Sequence, residues 1–66
     1  MEARLLTAAI DDAHKMCLET IISNFAAQII TASNNPGIVA AAKTGLADAI
    51  KSANFAYGEV RKVAGI

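Results

Sequence analysis

The chain has 66 residues, 55% of them hydrophobic, and its six acidic and six basic side chains give a formal net charge of zero. A single domain of this length buries only about 60% of the surface of its unfolded chain, so this much apolar surface predicts burial against further copies. The balanced charge and the 5% aromatic content argue against nucleic acid as a partner, because phosphates attract a basic surplus and bases stack on aromatic rings.

The first predicted element is a helix over about residues 3–31 with two different apolar faces. In its first half one stripe is formed by Leu6, Ile10, Ala13, Cys17 and Ile21. In its second half another side is apolar, and it carries Leu18, Ile22, Phe25 and Ile29. The former stripe continues there with polar residues, which are Asn24, Gln28 and Thr31. A helix packed on one partner keeps one stripe, so the change of side predicts different neighbours at different heights, in a bundle, a filament or a compact oligomer.

The run Ser33-Asn34-Asn35-Pro36-Gly37 is the strongest break in the chain. Asn34, Asn35 and Pro36 supply the residue types that turns prefer. We expect Asn35 to cap the following helix with its side-chain oxygen, and Pro36 to occupy the first helical position, where its missing N–H group costs nothing. The sequence therefore predicts an all-α helical hairpin with its turn at about residues 33–36.

The second predicted helix, over about residues 36–64, carries an alanine-rich apolar repeat of seven residues. Its members are Val39, Ala42, Leu46, Ala49, Ala53, Ala56, Val60 and Val63. They form one stripe with Tyr57 close to it, and alanine side chains let another helix approach closely. We therefore predict that this stripe packs copies of the chain on one another. The same role is predicted for positions of the first helix, namely Leu6, Ile10, Cys17, Ile21, Ile22, Phe25 and Ile29.

Polar residues occupy the other side of the second helix. Lys43, Asn54 and Arg61 lie opposite the apolar stripe, and Lys51 lies at its edge. A solvated surface is the ordinary interpretation of such a face. In a tubular assembly the same four residues would line a hydrated bore. Phe55 falls among polar residues, and we predict that it contacts a neighbouring copy.

The uncharged run over residues 20–42 raises the question of a membrane span. Polar residues interrupt it, so it holds no stretch of about 18 continuous apolar residues, and we expect no stable span. A cleavable signal peptide is not expected either, because Asp11 and Asp12 end the first apolar run early.

The sequence shows no residue set that is typical of catalysis or of cofactor binding. It has no carboxylate pair, glycine-rich phosphate loop or Ser/His/Asp set, so we expect neither enzyme activity nor a cofactor. His14 and Cys17 stand three residues apart, but two ligands make a poor metal site, and no metal is expected. As the single cysteine, Cys17 is more typical of a small packing residue than of a nucleophile.

From Asn35 onward the sequence resembles the needle and pilus subunits of type III secretion systems. The matching features are an Asn-Pro turn, an apolar and alanine-rich helix start, a leucine further along, a central asparagine and a basic-apolar close. They are carried by Asn35, Pro36, Ile38, Val39, Ala40, Ala41, Leu46, Asp48, Asn54, Val60 and Arg61. The resemblance covers about half of the chain. It implies a secreted virulence protein that polymerises with itself into a hollow extracellular filament. It also implies that unfolded effector proteins pass through this filament, and that the secretion apparatus exports the subunit without a cleaved signal.

Two other interpretations fit the sequence. A small cytoplasmic adaptor or regulator would form a closed four-helix dimer from two hairpins. A membrane-associated pilin or peptide would use the uncharged region over residues 20–42. The first would differ from a filament in light scattering, and the second would partition into lipid vesicles.

Overall fold

The computed structural model describes residues 3–66 and is an antiparallel hairpin of two long helices. Helix α1 spans Ala3–Ala32 and helix α2 spans Pro36–Ala64. The two helices run against each other along their length. The predicted all-α hairpin, its helix boundaries and the position of its turn are confirmed.

The chain leaves α1 through two residues in the left-handed region. Ser33 and Asn34 have φ angles of 51° and 70°. Asparagine adopts this conformation more readily than most residues, which suits Asn34 to its position. The backbone amide of Asn35 then donates a hydrogen bond to the carbonyl of Ala32 at 3.0 Å, which closes the turn.

Asn35 also begins the second helix. Its side-chain oxygen accepts hydrogen bonds from the backbone amides of Gly37 at 3.0 Å and Ile38 at 3.3 Å. Pro36 occupies the first helical position, where no N–H group is needed. The predicted cap is therefore confirmed, and the polar turn ends one helix and starts the next without leaving the first amides of α2 unpaired.

Gly65 ends α2 in a left-handed conformation with φ 78°. Its amide donates to the carbonyl of Lys62 at 3.2 Å, and the amide of Ile66 donates to the carbonyl of Arg61 at 3.0 Å. This pair of bonds is a Schellman motif, and glycine suits it because a Cβ atom is disfavoured at this φ.

The side of α1 that faces α2 forms one continuous line of buried and half-buried residues. It consists of Leu6, Ile10, His14, Leu18, Ile21, Phe25, Ile29 and Ala32. Several of its steps are four residues long, and such steps move the line gradually around a helix of 3.6 residues per turn. Members of both apolar sides of α1 therefore meet α2, whereas Ala13, Cys17 and Ile22 are exposed. Contact of α1 with different neighbours at different heights stays a prediction.

The apolar repeat of α2 faces α1 over only part of its length. The facing residues are Val39, Ala42, Leu46, Ala49 and Ala53, followed by Tyr57, Arg61 and Ala64. The last three members of the repeat, Ala56, Val60 and Val63, are exposed, and Val63 is exposed by 90%. A straight helix drifts by about 20° per heptad relative to a seven-residue repeat. The drift leaves the end of the repeat beside the helix contact and not within it.

The hairpin encloses very little of its own surface. Within residues 3–66 the buried hydrophobic residues are Ile10, Ala32, Ala42 and Ala53. The molecule is a rod with extents of 49 × 15 × 9 Å, and its accessible surface is 4831 Å². A compact monomer of 6.8 kDa exposes about 4,000 Å². A single copy therefore exposes about 800 Å² more than is usual for its mass.

Neither α1 nor α2 combines the length and the apolar character that a membrane-crossing helix needs. The polar residues that interrupt residues 20–42 account for this result in the uncharged part of the chain.

Candidate functional site

Polar contacts join the two helices along one side of the hairpin, which we call the bridged edge. Its residues are Asp11, His14, Asn54, Tyr57 and Arg61. The Tyr57 hydroxyl donates a hydrogen bond to the Asp11 carboxylate and accepts one from the Arg61 guanidinium at 3.1 Å. His14 Nε2 lies 3.0 Å from Asn54 Oδ1, within hydrogen-bond distance. The bridged edge therefore holds α1 and α2 together at two neighbouring heights.

The Tyr57 ring is the centre of the bridged edge. The His14 ring lies on it with a centroid distance of 4.4 Å and an interplanar angle of 31°. The Arg61 guanidinium carbon lies 5.6 Å from its centroid, within the range of a cation–π contact. A shift of α2 by one helical turn, about 5.4 Å, would break the contacts of Tyr57 with His14 and Asp11, which join the two helices. The bridged edge thus fixes the register of the two helices.

Among residues 3–66 no three side chains of the types His, Cys, Asp and Glu come together to hold a metal ion. His14 is engaged with Asn54 and Tyr57, while Cys17 is exposed and free. We therefore interpret the polar cluster as a structural contact.

The other side of the hairpin carries a groove, and we call it the open edge. In the half of the rod away from the turn, which we call the terminal half, the groove has a volume of about 320 Å³. Its lining consists of Ala9, Ile10, Ala13, His14, Cys17, Ala53, Ala56, Tyr57 and Val60. It continues into a depression of about 470 Å³, lined by Leu6, Ile10, Glu59, Val60, Val63 and Ala64. The surface in this half is almost wholly apolar.

Toward the turn the open edge becomes partly polar. Two depressions of about 210 and 350 Å³ share Gln28 and Gly45 in their linings. Asn24 also lines the first of them. Asn24 stands seven residues after Cys17, so the two halves of the groove lie on the same side of α1. The polar stripe of the first helix therefore lies partly in the groove. Among all the lining residues of the four depressions, Glu59 alone is acidic and none is lysine or arginine.

Large apolar side chains are also exposed elsewhere on the rod. Along the open edge they are Ile38, Val60 and Val63, and outside its lining they are Leu5, Met16, Ile22, Ile30 and Phe55. Phe55 is exposed by 70%, as its position among polar residues predicts, and its contact with a neighbouring copy stays a prediction. Soluble monomers seldom expose contiguous apolar patches larger than a few hundred Å².

The structure divides the residues predicted to pack copies together. Those that face the other helix of the same chain are Leu6, Ile10, Ile21, Phe25, Ile29, Val39, Ala42, Leu46, Ala49, Ala53 and Tyr57. Those left exposed on the open edge are Cys17, Ala56, Val60 and Val63. Ile22 is exposed outside the groove. Packing between copies stays a prediction for all of them.

The residues predicted to line a bore are also divided. Asn54 and Arg61 belong to the bridged edge, where they contact residues of their own chain. Lys43 and Lys51 are exposed. The role of these four residues in a bore stays a prediction.

Sequence reasoning missed the bridged edge. In the sequence, His14 stands out only beside Cys17, as one of two residues for a poor metal site. A signal was present: Asp11 and His14 are three residues apart, and Asn54 and Tyr57 repeat that spacing at the matching height of the antiparallel helix.

Comparison with known proteins gives no further guide. No protein-family model, no curated protein and no solved structure matches this chain.

Proposed function

We propose that this protein is a structural subunit whose copies pack side by side into a filament. The observation that carries the proposal is the surface of the single hairpin, which exceeds the usual value for its mass by about 800 Å². A protein interface of standard size takes about 800 Å² from each partner. The surplus surface of one copy is therefore of the size that association with another copy removes.

The shape of the molecule supports a filament. The rod is 49 Å long and at most 15 Å wide. Exposed apolar side chains lie along the open edge. Others, such as Ile22, Ile30 and Phe55, lie outside it. Contacts through two different surfaces can continue from copy to copy, whereas a single self-complementary surface closes after two copies.

We further propose that the filament is a type III secretion needle or pilus. The support is the resemblance of the segment from Asn35 onward, which spans the helix cap and all of α2. In this proposal the filament is extracellular and hollow, and unfolded effector proteins pass through it. Exposed basic residues such as Lys43 and Lys51 are candidates for its hydrated bore.

Negative-stain electron microscopy of the purified protein at rising concentration tests the filament. We expect filaments of uniform width with a stain-filled axial channel. Filaments without a channel would overturn the proposal that effector proteins pass through them, but not the proposal that the protein is a structural subunit. In the host cell, we expect the chain in the medium only while the type III export machinery works. Export that is unchanged when this machinery is inactivated would overturn the assignment to type III secretion.

A closed four-helix pair is the second candidate, because the groove is confined to one side of the hairpin. Two hairpins joined through that side would cover both grooves at once. Light scattering separates the two candidates. A closed pair keeps a mass of twice 6.8 kDa as the concentration rises, whereas a filament keeps growing.

A further inference from the structure

We infer that the open edge of one hairpin binds the open edge of a second copy, with the two rods pointing in the same direction. The two copies would then be related by a two-fold axis parallel to the rod. This inference rests on the self-association in the proposed function, but not on its growth into a filament.

The charge distribution favours a protein surface as the occupant of the open edge. Its lining contains one acidic residue, Glu59, and no lysine or arginine. The central parts of protein interfaces are likewise depleted of charged residues. The charged pair Lys15 and Glu19, with 3.9 Å between its nitrogen and oxygen atoms, lies on α1 outside the groove lining. An anionic ligand would find neither lysine nor arginine in the lining of the groove.

The size of the surface favours a second copy in particular. The hairpin as a whole exposes about 800 Å² more than is usual for its mass, which is the share of one partner in a standard interface, and the open edge contributes the large exposed residues Ile38, Val60 and Val63. In an isologous pair the same surface is used twice, so one contact covers the open edges of both copies. Small residues such as Ala9, Ala13 and Ala56 line the groove and allow the helices of the second copy to approach closely.

The direction follows from the unequal halves of the open edge. The terminal half of the open edge is apolar, and the half nearer the turn contains Asn24 and Gln28. With parallel rods, apolar surface meets apolar surface, and the amides of both copies gather in one layer where they can bond to each other. With antiparallel rods, each amide would lie against the apolar half of the partner. A buried amide without a hydrogen-bond partner is unfavourable, which favours the parallel pair.

The geometry of the pair is that of a four-helix bundle. A two-fold axis along the rod places α1 of one copy beside α2 of the other. Because the two helices of a hairpin run in opposite directions, every pair of neighbouring helices in the bundle is antiparallel, as in up-and-down bundles.

Matched glutamate variants test the surface. Ala56→Glu places a charge in the open edge, and Ala47→Glu places the same charge at an exposed position of α2 outside the groove lining. We expect sedimentation velocity to show that Ala56→Glu associates at least tenfold more weakly than the unchanged protein. Ala47→Glu should associate as strongly as the unchanged protein. Equal association of the two variants would overturn the proposed surface.

The distance between spin labels on the two copies tests whether the rods point in the same direction. The only groove residue that this experiment changes is Cys17, which is replaced by serine. In that background, single cysteines at Arg4→Cys, near one end, and Lys51→Cys, near mid-length, carry spin labels for pulsed distance measurement. Parallel rods predict a short distance at both sites, within about twice the 15 Å width of the rod. A distance at residue 4 that approaches the 49 Å length, with a short distance at residue 51, would overturn the parallel pair.

The outcomes separate this inference from the proposed function. A parallel pair that never forms filaments keeps the inference and overturns the filament. Filaments that form equally from Ala56→Glu and Ala47→Glu keep the filament and overturn the inference. A protein that stays monomeric overturns both.

Discussion

The bridged edge and the open edge are built from the same two helices, but their side chains differ in what they contact. On the bridged edge, Tyr57 joins Asp11 and Arg61, and the hydrogen bonds are completed within one chain. On the open edge, small apolar residues such as Ala13 and Ala56 leave a groove. The comparison shows how a very short chain separates two tasks: polar side chains set the register of the hairpin, and apolar side chains on the other side stay available to a partner.

The two ends of α2 also differ in how far the apolar repeat packs on α1. Near the turn, the apolar repeat of α2 packs on α1 at positions such as Ala42 and Leu46. Away from the turn, the repeat leaves the contact, and Val60 and Val63 are exposed. One sequence pattern therefore serves packing inside the chain at one end of α2 and supplies exposed apolar surface at the other.

The largest effect is expected within the contact between the two helices. Ala53 is 8% exposed, and Ala53→Glu would force a carboxylate between the helices. A buried charge without a partner is strongly unfavourable, so we expect a loss on the order of 3 kcal/mol or more and a largely unfolded hairpin. Circular dichroism during heating and urea titration measures the loss.

Ala47→Glu is the matched control for this change, because residue 47 lies on the same helix and is exposed. We expect its stability to stay within about 0.5 kcal/mol of the unchanged protein. Melting curves that coincide for the two glutamate variants would show that Ala53 does not lie in the helix contact.

An intermediate effect is expected on the bridged edge. Tyr57→Phe keeps the ring that His14 lies on and removes the hydroxyl between Asp11 and Arg61. We expect a loss of about 1 kcal/mol in the free energy of unfolding, because net hydrogen bonds contribute about that much. In a protein of this size that corresponds to a fall in Tm of roughly 4–8 °C.

A double-mutant cycle with Asp11→Ala, which removes the accepting oxygen, identifies the partner of the hydroxyl. If Tyr57 acts through Asp11, the two substitutions together cost less than the sum of their separate effects. Strict additivity would mean that the hydrogen bond contributes nothing measurable to the hairpin.

The smallest effect on the hairpin is expected on the open edge. Val63 is 90% exposed, so Val63→Thr should change the stability of a single hairpin by less than about 0.5 kcal/mol. Its hydroxyl would nevertheless lie in the contact between copies, and we expect weaker association by sedimentation velocity. Ile30→Thr makes a similar change at a site 80% exposed and outside the groove lining. Equal association of these two variants would speak against a role for the open edge.

Much of the hairpin is predictable because local signals dominate it. The turn follows from Asn35 and Pro36, whose capping and φ preferences act within a few residues. The apolar repeat marks the positions of α2 as far as Ala53 that pack on a helix, although it does not reveal that this helix belongs to the same chain. These features depend on spacing along one helix, which the sequence displays directly.

The rest depends on how one helix is rotated against the other. The drift between a straight helix and a seven-residue repeat decides that Tyr57 faces α1 and Ala56 does not, and spacing alone does not reveal it. The contact of Asp11 with Tyr57 joins residues 46 positions apart, so it appears only once the hairpin register is known. The open edge as one continuous groove depends on the same rotation, although the sequence predicts contacts between copies for its members Cys17, Ala56, Val60 and Val63.

The dependence of thermal unfolding on protein concentration tests the central claim most directly. If a single hairpin is completed by other copies, mass action stabilises the assembled state, and Tm rises steadily as the concentration is raised a hundredfold. A Tm that is the same at every concentration, together with sedimentation as a 6.8 kDa monomer, would contradict the account.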